Sequence, residues 1–272
     1  MPGAAGRGST STPRIDVVLT THNREVLLPR ALGSVLTQTA PGFTCFVVAD
    51  GCTDGTANYL DSVSDERVRV LHTDGLGPCG ARNHGASAGS APLLAFLDDD
   101  NLWRPRFLAV MAEHMAAGAV LAYSGQQCYL ASGPPENLRV VGRRIRSVPF
   151  NPVTLLDANY IDTSCVLLDR RAFEAAGGFD PALTCLQDWD LYGRIAATHP
   201  FDVIHVDEVL GEYWYYTTAT MPTVQNSSWG DQGTLTSFGL GPVAAPVAEV
   251  RARLREATRN PGPPPARVQA AA

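Results

Sequence analysis

Three consecutive aspartates, Asp98-Asp99-Asp100, end the apolar run Leu93–Leu97 and are followed by Asn101. Adjacent carboxylates repel one another unless something neutralises them. A hard divalent cation does so, because it takes oxygen ligands and commonly shares them with substrate phosphates. The triplet therefore points to a metal–diphosphate site. A second reading is helix capping, in which Asp99, Asp100 or Asn101 caps a helix beginning near Trp103–Pro105.

Other residues gain meaning from the same pattern. Thr20-Thr21-His22-Asn23 follows the apolar run that starts at Ile15, and Asp50-Gly51 ends another. A carboxylate at Asp50 can accept from a base N–H, or can simply form a turn. Carboxylates at Asp98 or Asp99 suit ribose hydroxyls, which leaves Asp100 for the metal. Arg82 opens a helical segment, where it suits a diphosphate or pairs with a nearby acid. Gln187-Asp188-Trp189-Asp190 opens a later helix. Positions two apart diverge around a helix, so one acid can enter a cleft as a general base while the other stabilises the helix start.

A competing signal is Gly75-Leu76-Gly77-Pro78-Cys79-Gly80, a G-x-G-x-x-G turn. With Asp98 about twenty residues later, it fits the dinucleotide fingerprint of an NAD(P) or flavin oxidoreductase. It follows the third apolar run rather than the first, and Pro78 stands where a backbone N–H should meet phosphate.

The elements that position these residues alternate. Apolar strands are predicted over Ile15–Thr20, Thr44–Ala49, Val68–His72 and Leu93–Leu97. Helices follow each, over Arg24–Gln38, Thr53–Ser62, Ala81–Ala88 and Pro105–Ala117. Such units imply an α/β fold with a Rossmann-like, mostly parallel sheet and helices on both faces. In open sheets of this kind, ligands sit outside the carboxyl ends of the strands.

Beyond Ala119 the rhythm changes. Strands are predicted over Val120–Leu130, Thr163–Leu168, Phe201–Val206 and Glu212–Tyr216. Helices are predicted over Arg170–Ala176, Leu186–Ala197 and Ala244–Thr258. The stretch Ala131–Phe150, with four arginines between Arg139 and Arg146, reads as irregular.

Bulk properties narrow the class. The 272 residues suffice for one sizeable α/β domain. A net charge of −6 and a pI near 5.5 argue against a nucleic-acid surface. All 21 basic residues are arginine. The six cysteines are scattered without any C-x-x-C pair, so neither a zinc site nor a disulfide framework is indicated. With no secretory h-region and no transmembrane-length stretch, the expected location is cytoplasmic.

Taken together, these residues resemble the inverting family 2 glycosyltransferases of GT-A type, from about Ile15 to Tyr216. The likeness rests on Val18–Arg24, Val48–Thr56, Gly80–Gly85, Phe96–Asp100 with Trp103 and Pro105, Gly177–Asp180 and Gln187–Leu191. The resemblance implies a metal-dependent, inverting transfer from a nucleoside-diphosphate sugar to an acceptor hydroxyl. It places Thr20, Thr21, Asn23, Asp50, Arg82, Asp98 and Asp99 around the nucleotide, Asp100 on Mn2+ or Mg2+, and Asp188 as the catalytic base. It also implies an acceptor-binding half appended C-terminally, and a soluble acceptor is expected. Residues 1–13 then read as a disordered leader and 14–119 as the nucleotide-sugar half. Residues 120–240 carry the acceptor site and the base within the same domain, and 241–272 form a helix and disordered tail. Three departures stand out: Ala49 before Asp50, Gln187 before Asp188, and no arginine or histidine in Tyr213–Tyr216. A non-catalytic sugar-nucleotide binding protein remains an alternative on those departures.

Overall fold

The computed structural model describes residues 14–40, 42–183, 185–216 and 244–259. The predicted leader and tail lie outside these residues. Strand β1 (Ile15–Thr21) leads through helix α1 (Leu28–Leu36) to β2 (Phe43–Asp50), and α2 (Thr56–Asp61) leads to β3 (Val68–Thr73). Helix α3 (Gly77–Ala88) leads to β4 (Leu93–Asp98). Strands β1, β2 and β4 are rich in apolar residues and buried on both faces, which holds them in the middle of the sheet, whereas β3 at the edge is only partly buried.

β1 pairs in parallel with both β2 and β4, and β2 with β3. Alternation along β1 divides the core between the two faces. Val17 and Leu19 pack with Leu28 and Leu32 of α1. Val18 packs with Ala81 and Ala86 of α3. Pro29 stands in the first turn of α1, where a missing N–H costs nothing.

After the acid triplet the chain forms a two-residue strand, β5 (Leu102–Trp103), then α4 (Phe107–Ala116). Next come β6 (Leu121–Ser132), β7 (Arg139–Arg146), α5 (Pro152–Asp157), β8 (Val166–Asp169), α6 (Arg170–Ala175), α7 (Gln187–Thr198) and β9 (Val203–Tyr216). The sheet order is β3-β2-β1-β4-β8-β6-β9-β5, with β7 beside β6. β8 runs antiparallel to β4 and β6, while β6 and β9 are parallel. The sheet is thus mostly parallel on one side and mixed on the other.

Several boundaries differ from expectation. Ala131–Phe150 is not irregular, because β7 folds back on β6 as a hairpin arm. Its Arg-rich composition hid the strand, since six of its eight residues are exposed, as an edge strand allows. The segments at 201–206 and 212–216 are one strand, β9, kinked where its register with β6 shifts near Gly125. Thr163–Cys165 form a 3₁₀ turn, and the strand begins only at Val166. Helix α3 starts at Gly77, before the predicted Ala81, with Pro78 in its first turn.

Helix α8 (Ala244–Arg259) closes the described chain. It lies against α7, where a Cβ on Gly193 would fall 2.1 Å from Leu254 Cδ2. The absent side chain is what allows the two helices to meet. On the opposite side of the core, Arg170 ties the halves together. Its guanidinium meets Asp16 of β1 at 2.7 Å and donates to the carbonyls of Ala86 and Ala91.

Candidate active site

Strand register brings the expected residues to one edge. Thr20 pairs with Asp98 across β1 and β4, Thr21 with Ala49, and Asp50 with Thr73. Asp98–Asp100 lie where β4 ends and turns into β5, and the turn is closed by Asn101 N–H donating to the Asp98 carbonyl at 3.1 Å. Buried Asn101 then donates to Ser164 Oγ and accepts from the Trp214 N–H. The side chain of Asn101 therefore holds the turn, while α4 begins only after Arg106 and has no side-chain cap. Capping does not explain the triplet.

The three acids have different surroundings. Asp98 pairs with Arg82 at 2.5 Å. Asp99 is buried 3.7 Å from Arg24, and burial together with Asp98 pushes its carboxyl up to about 6 against the pull of Thr21 and Arg24. Asp100 is pushed well above the usual carboxylate range by burial and by the charges of Asp99 and Asp98; Arg24 opposes this without cancelling it. Among the described residues, no three His, Cys, Asp or Glu side chains stand close enough to hold a metal ion alone. The donor set fits instead the protein share of a Mn2+ or Mg2+ site, one or two carboxylates completed by phosphate oxygens and water. Asp100, the acid whose charge is least compensated, is the fitting ligand.

Arg82 projects from α3 and lies over the Phe179 ring, 5.3 Å from its centroid. Its Nε is buried without a partner. Phe179 is placed by Asn83, which accepts from its N–H at 3.0 Å and donates to its carbonyl at 2.7 Å. Gly178, at φ +69°, lets the chain pass Asn83 there.

Asp50 is engaged differently from the expectation of a free base contact. Its carboxylate accepts from Thr73 Oγ1 and from the N–H groups of Gly75, Leu76 and Gly77, at 2.6–3.1 Å. Burial would raise its pKa, but these four donors outweigh it and hold the carboxyl below its ordinary range. The turn that matched a dinucleotide fingerprint thus has its N–H groups filled by the protein's own carboxylate. Asn23, at φ +54°, spends its side-chain oxygen on the N–H groups of Thr53 and Asp54. It joins the β1 and β2 loops. Thr21 Oγ1 is buried beside Asp99, whose carboxyl it pulls down.

Asp188 stands in the first turn of α7. It accepts from Asn159 Nδ2 at 3.1 Å and from the Trp189 N–H at 2.8 Å. Burial, helped by the charge of Asp162, pushes its carboxyl up to about 6, while those hydrogen bonds and Arg82 pull the other way. Its neighbour Asp190 is fully buried and bonded to Arg194 at 2.7 Å, with Arg253 of α8 3.6 Å away. The two acids diverge as their spacing requires. Leu186 precedes them at φ +59°, an uncommon conformation for a side chain of its size.

Sequence reasoning missed Asp162, Arg146 and Gln126. Arg146 Nη2 lies 3.6 Å from Asp162 Oδ2, and Gln126 Nε2 donates to Asp162 Oδ1. These residues come from distant, weakly patterned segments, and only the pairing of β6 with β7 brings them together. Arg24 was likewise invisible as a partner of Asp99.

Chemically, the site is a strand-end cluster of carboxylates, one arginine able to meet an anion, and a separate carboxylate that titrates near neutrality. Cys45, Cys52, Cys79, Cys128 and Cys165 are free thiols, and no helix among the described residues is long and apolar enough to cross a membrane.

Relatives share this frame. The chain is 42% identical over 120 residues to the validoxylamine A glucosyltransferase of Streptomyces hygroscopicus subsp. limoneus, covering 42% of this chain and 26% of that one. It therefore spans about a quarter of the length of that relative. The putative colanic acid biosynthesis glycosyl transferase WcaA of Escherichia coli is 25% identical over 209 residues, covering 74% of this chain and 73% of that one. Crystallised TarS 1–349 of S. aureus, in complex with UDP, superposes with a TM-score of 0.61 at 17% identity, over 74% of this chain and 60% of that one. At that identity the likeness speaks for the fold. The family model described as Glycosyl transferase family 2 matches residues 16–176, the stretch that carries the triplet, Arg82 and Asp50. That match covers more than half of the chain, and the chain belongs to glycosyl transferase family 2.

Proposed function

We propose that this protein transfers a sugar from a nucleoside-diphosphate sugar to an acceptor hydroxyl, with inversion at the anomeric carbon. The observation that carries this reading is Asp188. It is a carboxylate poised near a pKa of about 6, held by two hydrogen bonds, within the field of Arg82 and Asp162. A base tuned close to working pH is what proton abstraction from a hydroxyl needs.

In the reaction, the acceptor oxygen attacks the anomeric carbon as Asp188 takes its proton. The bond from that carbon to the diphosphate oxygen breaks on the opposite side, and the diphosphate leaves with the electron pair. Arg82 meets the charge that develops there, which makes its interaction stronger in the transition state than in the bound donor. Asp98 orients Arg82 through their ion pair. Asp100, with Asp99 beside it, would hold Mn2+ or Mg2+, which would supply charge neutralisation to the diphosphate when bound. Thr20, Thr21 and the Asp50-fixed turn frame the nucleoside side, and Asn23 fixes the adjoining loop.

TarS has been crystallised with UDP and with UDP-GlcNAc, which makes uridine the first nucleotide to test here. The name of the validoxylamine A glucosyltransferases favours a glucosyl donor, and the acceptor proposed with it is soluble and hydroxyl-bearing. A thermal-shift panel of UDP, GDP, dTDP, CDP and NAD(P), each with and without Mn2+, tests the reading. A ligand bound only by the folded state raises the melting temperature. Stabilisation by one nucleoside diphosphate with Mn2+ is expected; stabilisation by NAD(P) alone would overturn the proposal.

A further inference from the structure

The Asp162 carboxylate is held more firmly than capping a three-residue 3₁₀ turn requires. Its Oδ1 accepts from Gln126 Nε2 at 3.0 Å and from the Ser164 N–H at 2.9 Å. Among the described residues its Oδ2 accepts no hydrogen bond, and Arg146 Nη2 stands 3.6 Å from it. Arg146 is itself fixed, its Nε donating to Gln126 Oε1 at 3.2 Å and its guanidinium lying 4.9 Å from the Tyr213 ring centroid. Side chains from β6, β7 and β9 thus immobilise a carboxylate and leave one of its oxygens open.

The position of that oxygen narrows what can fill it. Asp162 acts electrostatically on both Asp100 and Asp188, and Asp98 acts on Asp162. Ser164, two residues on, accepts from the Asp98 N–H and from Asn101 Nδ2, and Asn159, three residues before, donates to Asp188, which seats Asp162 between the end of β4 and the first turn of α7. An anion would be repelled here by four carboxylates. A neutral hydroxyl can donate to Oδ2 without adding charge, and a carboxylate acceptor makes that bond charge-assisted.

We propose that Asp162 Oδ2 accepts a hydrogen bond from one hydroxyl of the donor's sugar ring, with Gln126 and Arg146 as its positioning residues, and that this contact selects the sugar. The inference rests on the glycosyltransferase reading and adds the part of the donor that the nucleotide contacts do not read.

Calorimetric titration of the full chain separates the two. The first of UDP, GDP, dTDP and CDP that binds in the presence of Mg2+ is compared with its glucose conjugate, on the wild type and on Asp162→Asn. The variant should keep nucleoside-diphosphate affinity within about threefold and lose roughly tenfold or more for the sugar conjugate, the scale of a hydrogen bond to a charged group. An unchanged ratio between the two ligands overturns the proposal. Should the variant fail to fold, monodeoxy-glucose conjugates titrated on the wild type give the same answer. One position should lose about tenfold, and equal affinity at every position overturns the proposal. If no nucleoside diphosphate binds the wild type at all, it is the glycosyltransferase reading that falls.

Discussion

The two halves of the sheet solve the placement problem in different ways. From β1 to β4, each functional residue stands within a few positions of a strand end, and parallel register alone aligns Thr20 with Asp98 and Asp50 with Thr73. From β6 to β9, placement comes from contacts distant in sequence. Arg146 reaches Asp162 through a hairpin, and Arg253 of α8 reaches Asp190 of α7. In the proposed function the first half is the anion and nucleotide edge, set by repeated local units. The second would carry the proposed base and the proposed sugar contact, set by long-range packing. Substitutions in the first half should therefore act mainly on binding, and those in the second mainly on turnover and selectivity.

The largest effect should come from Asp188. Asp188→Asn should lower transfer by roughly 10²–10⁴-fold, the range of general-base catalysis, while nucleotide affinity stays within about threefold. Near-normal turnover in a steady-state assay would remove Asp188 from its role and blur the division between the halves. In the wild type, log kcat/KM should rise with pH and level off above about 6, because the base works only when deprotonated. The Asn variant should lack that limb.

Next comes the joint between the halves. Asp16 and Arg170 are both nearly buried, so Arg170→Met leaves an uncompensated charge beneath β1. Breaking such a pair costs on the order of 3–5 kcal/mol, which denaturant titration would read as a fall in the unfolding midpoint. A variant as stable as the wild type would mean that the halves hold together without this link.

A third expectation concerns the nucleotide edge. Asp100→Asn should abolish the part of the thermal shift by nucleoside diphosphate that depends on Mn2+, and leave the metal-independent part within about a degree. An unchanged Mn2+ response would move the cation to another acid of the triplet.

The smallest effect is a matter of stability. The folded pKa of Asp188 lies above its unfolded value, so protonation favours the native state. Its contribution is fully present below the unfolded value of 3.8 and is lost as pH rises through about 6. Asp188→Asn should then melt higher than the wild type at pH 7.5, by on the order of 3 °C, and the gain should vanish near pH 4. A difference that does not change with pH would contradict the burial argument.

What could be read from the sequence follows the same division. Thr21, Asp50, Arg82 and the triplet were legible because a strand with apolar residues throughout announces its own end, and the next residues fall on the ligand side. Asp188 was singled out by the family resemblance, since its place at a helix start next to Asp190 is explained as well by helix stabilisation. Asp162 was not, since a lone acid between Ile161 and Thr163 has no period to mark it, and its partners lie 16 to 36 positions away in β7 and β6. The hairpin arm β7 escaped for a related reason, its exposed Val140, Val141 and Ile145 giving no one-sided burial pattern. The roles of Asp50 and Asn23 were legible as positions but not as partners, because only the folded loops show where their oxygens go.

The filled glycine turn has a consequence for how such chains diverge. A loop of clustered N–H groups is a receptor for negative charge whatever its source. Here the occupant is covalently attached and arrives with β2, so its local concentration exceeds that of any free phosphate. Loss of the acid at position 50 alone would leave the receptor intact and vacant. One substitution thus stands between a structural tether and an anion-responsive loop, and the same six residues can serve either chemistry without changing a single glycine.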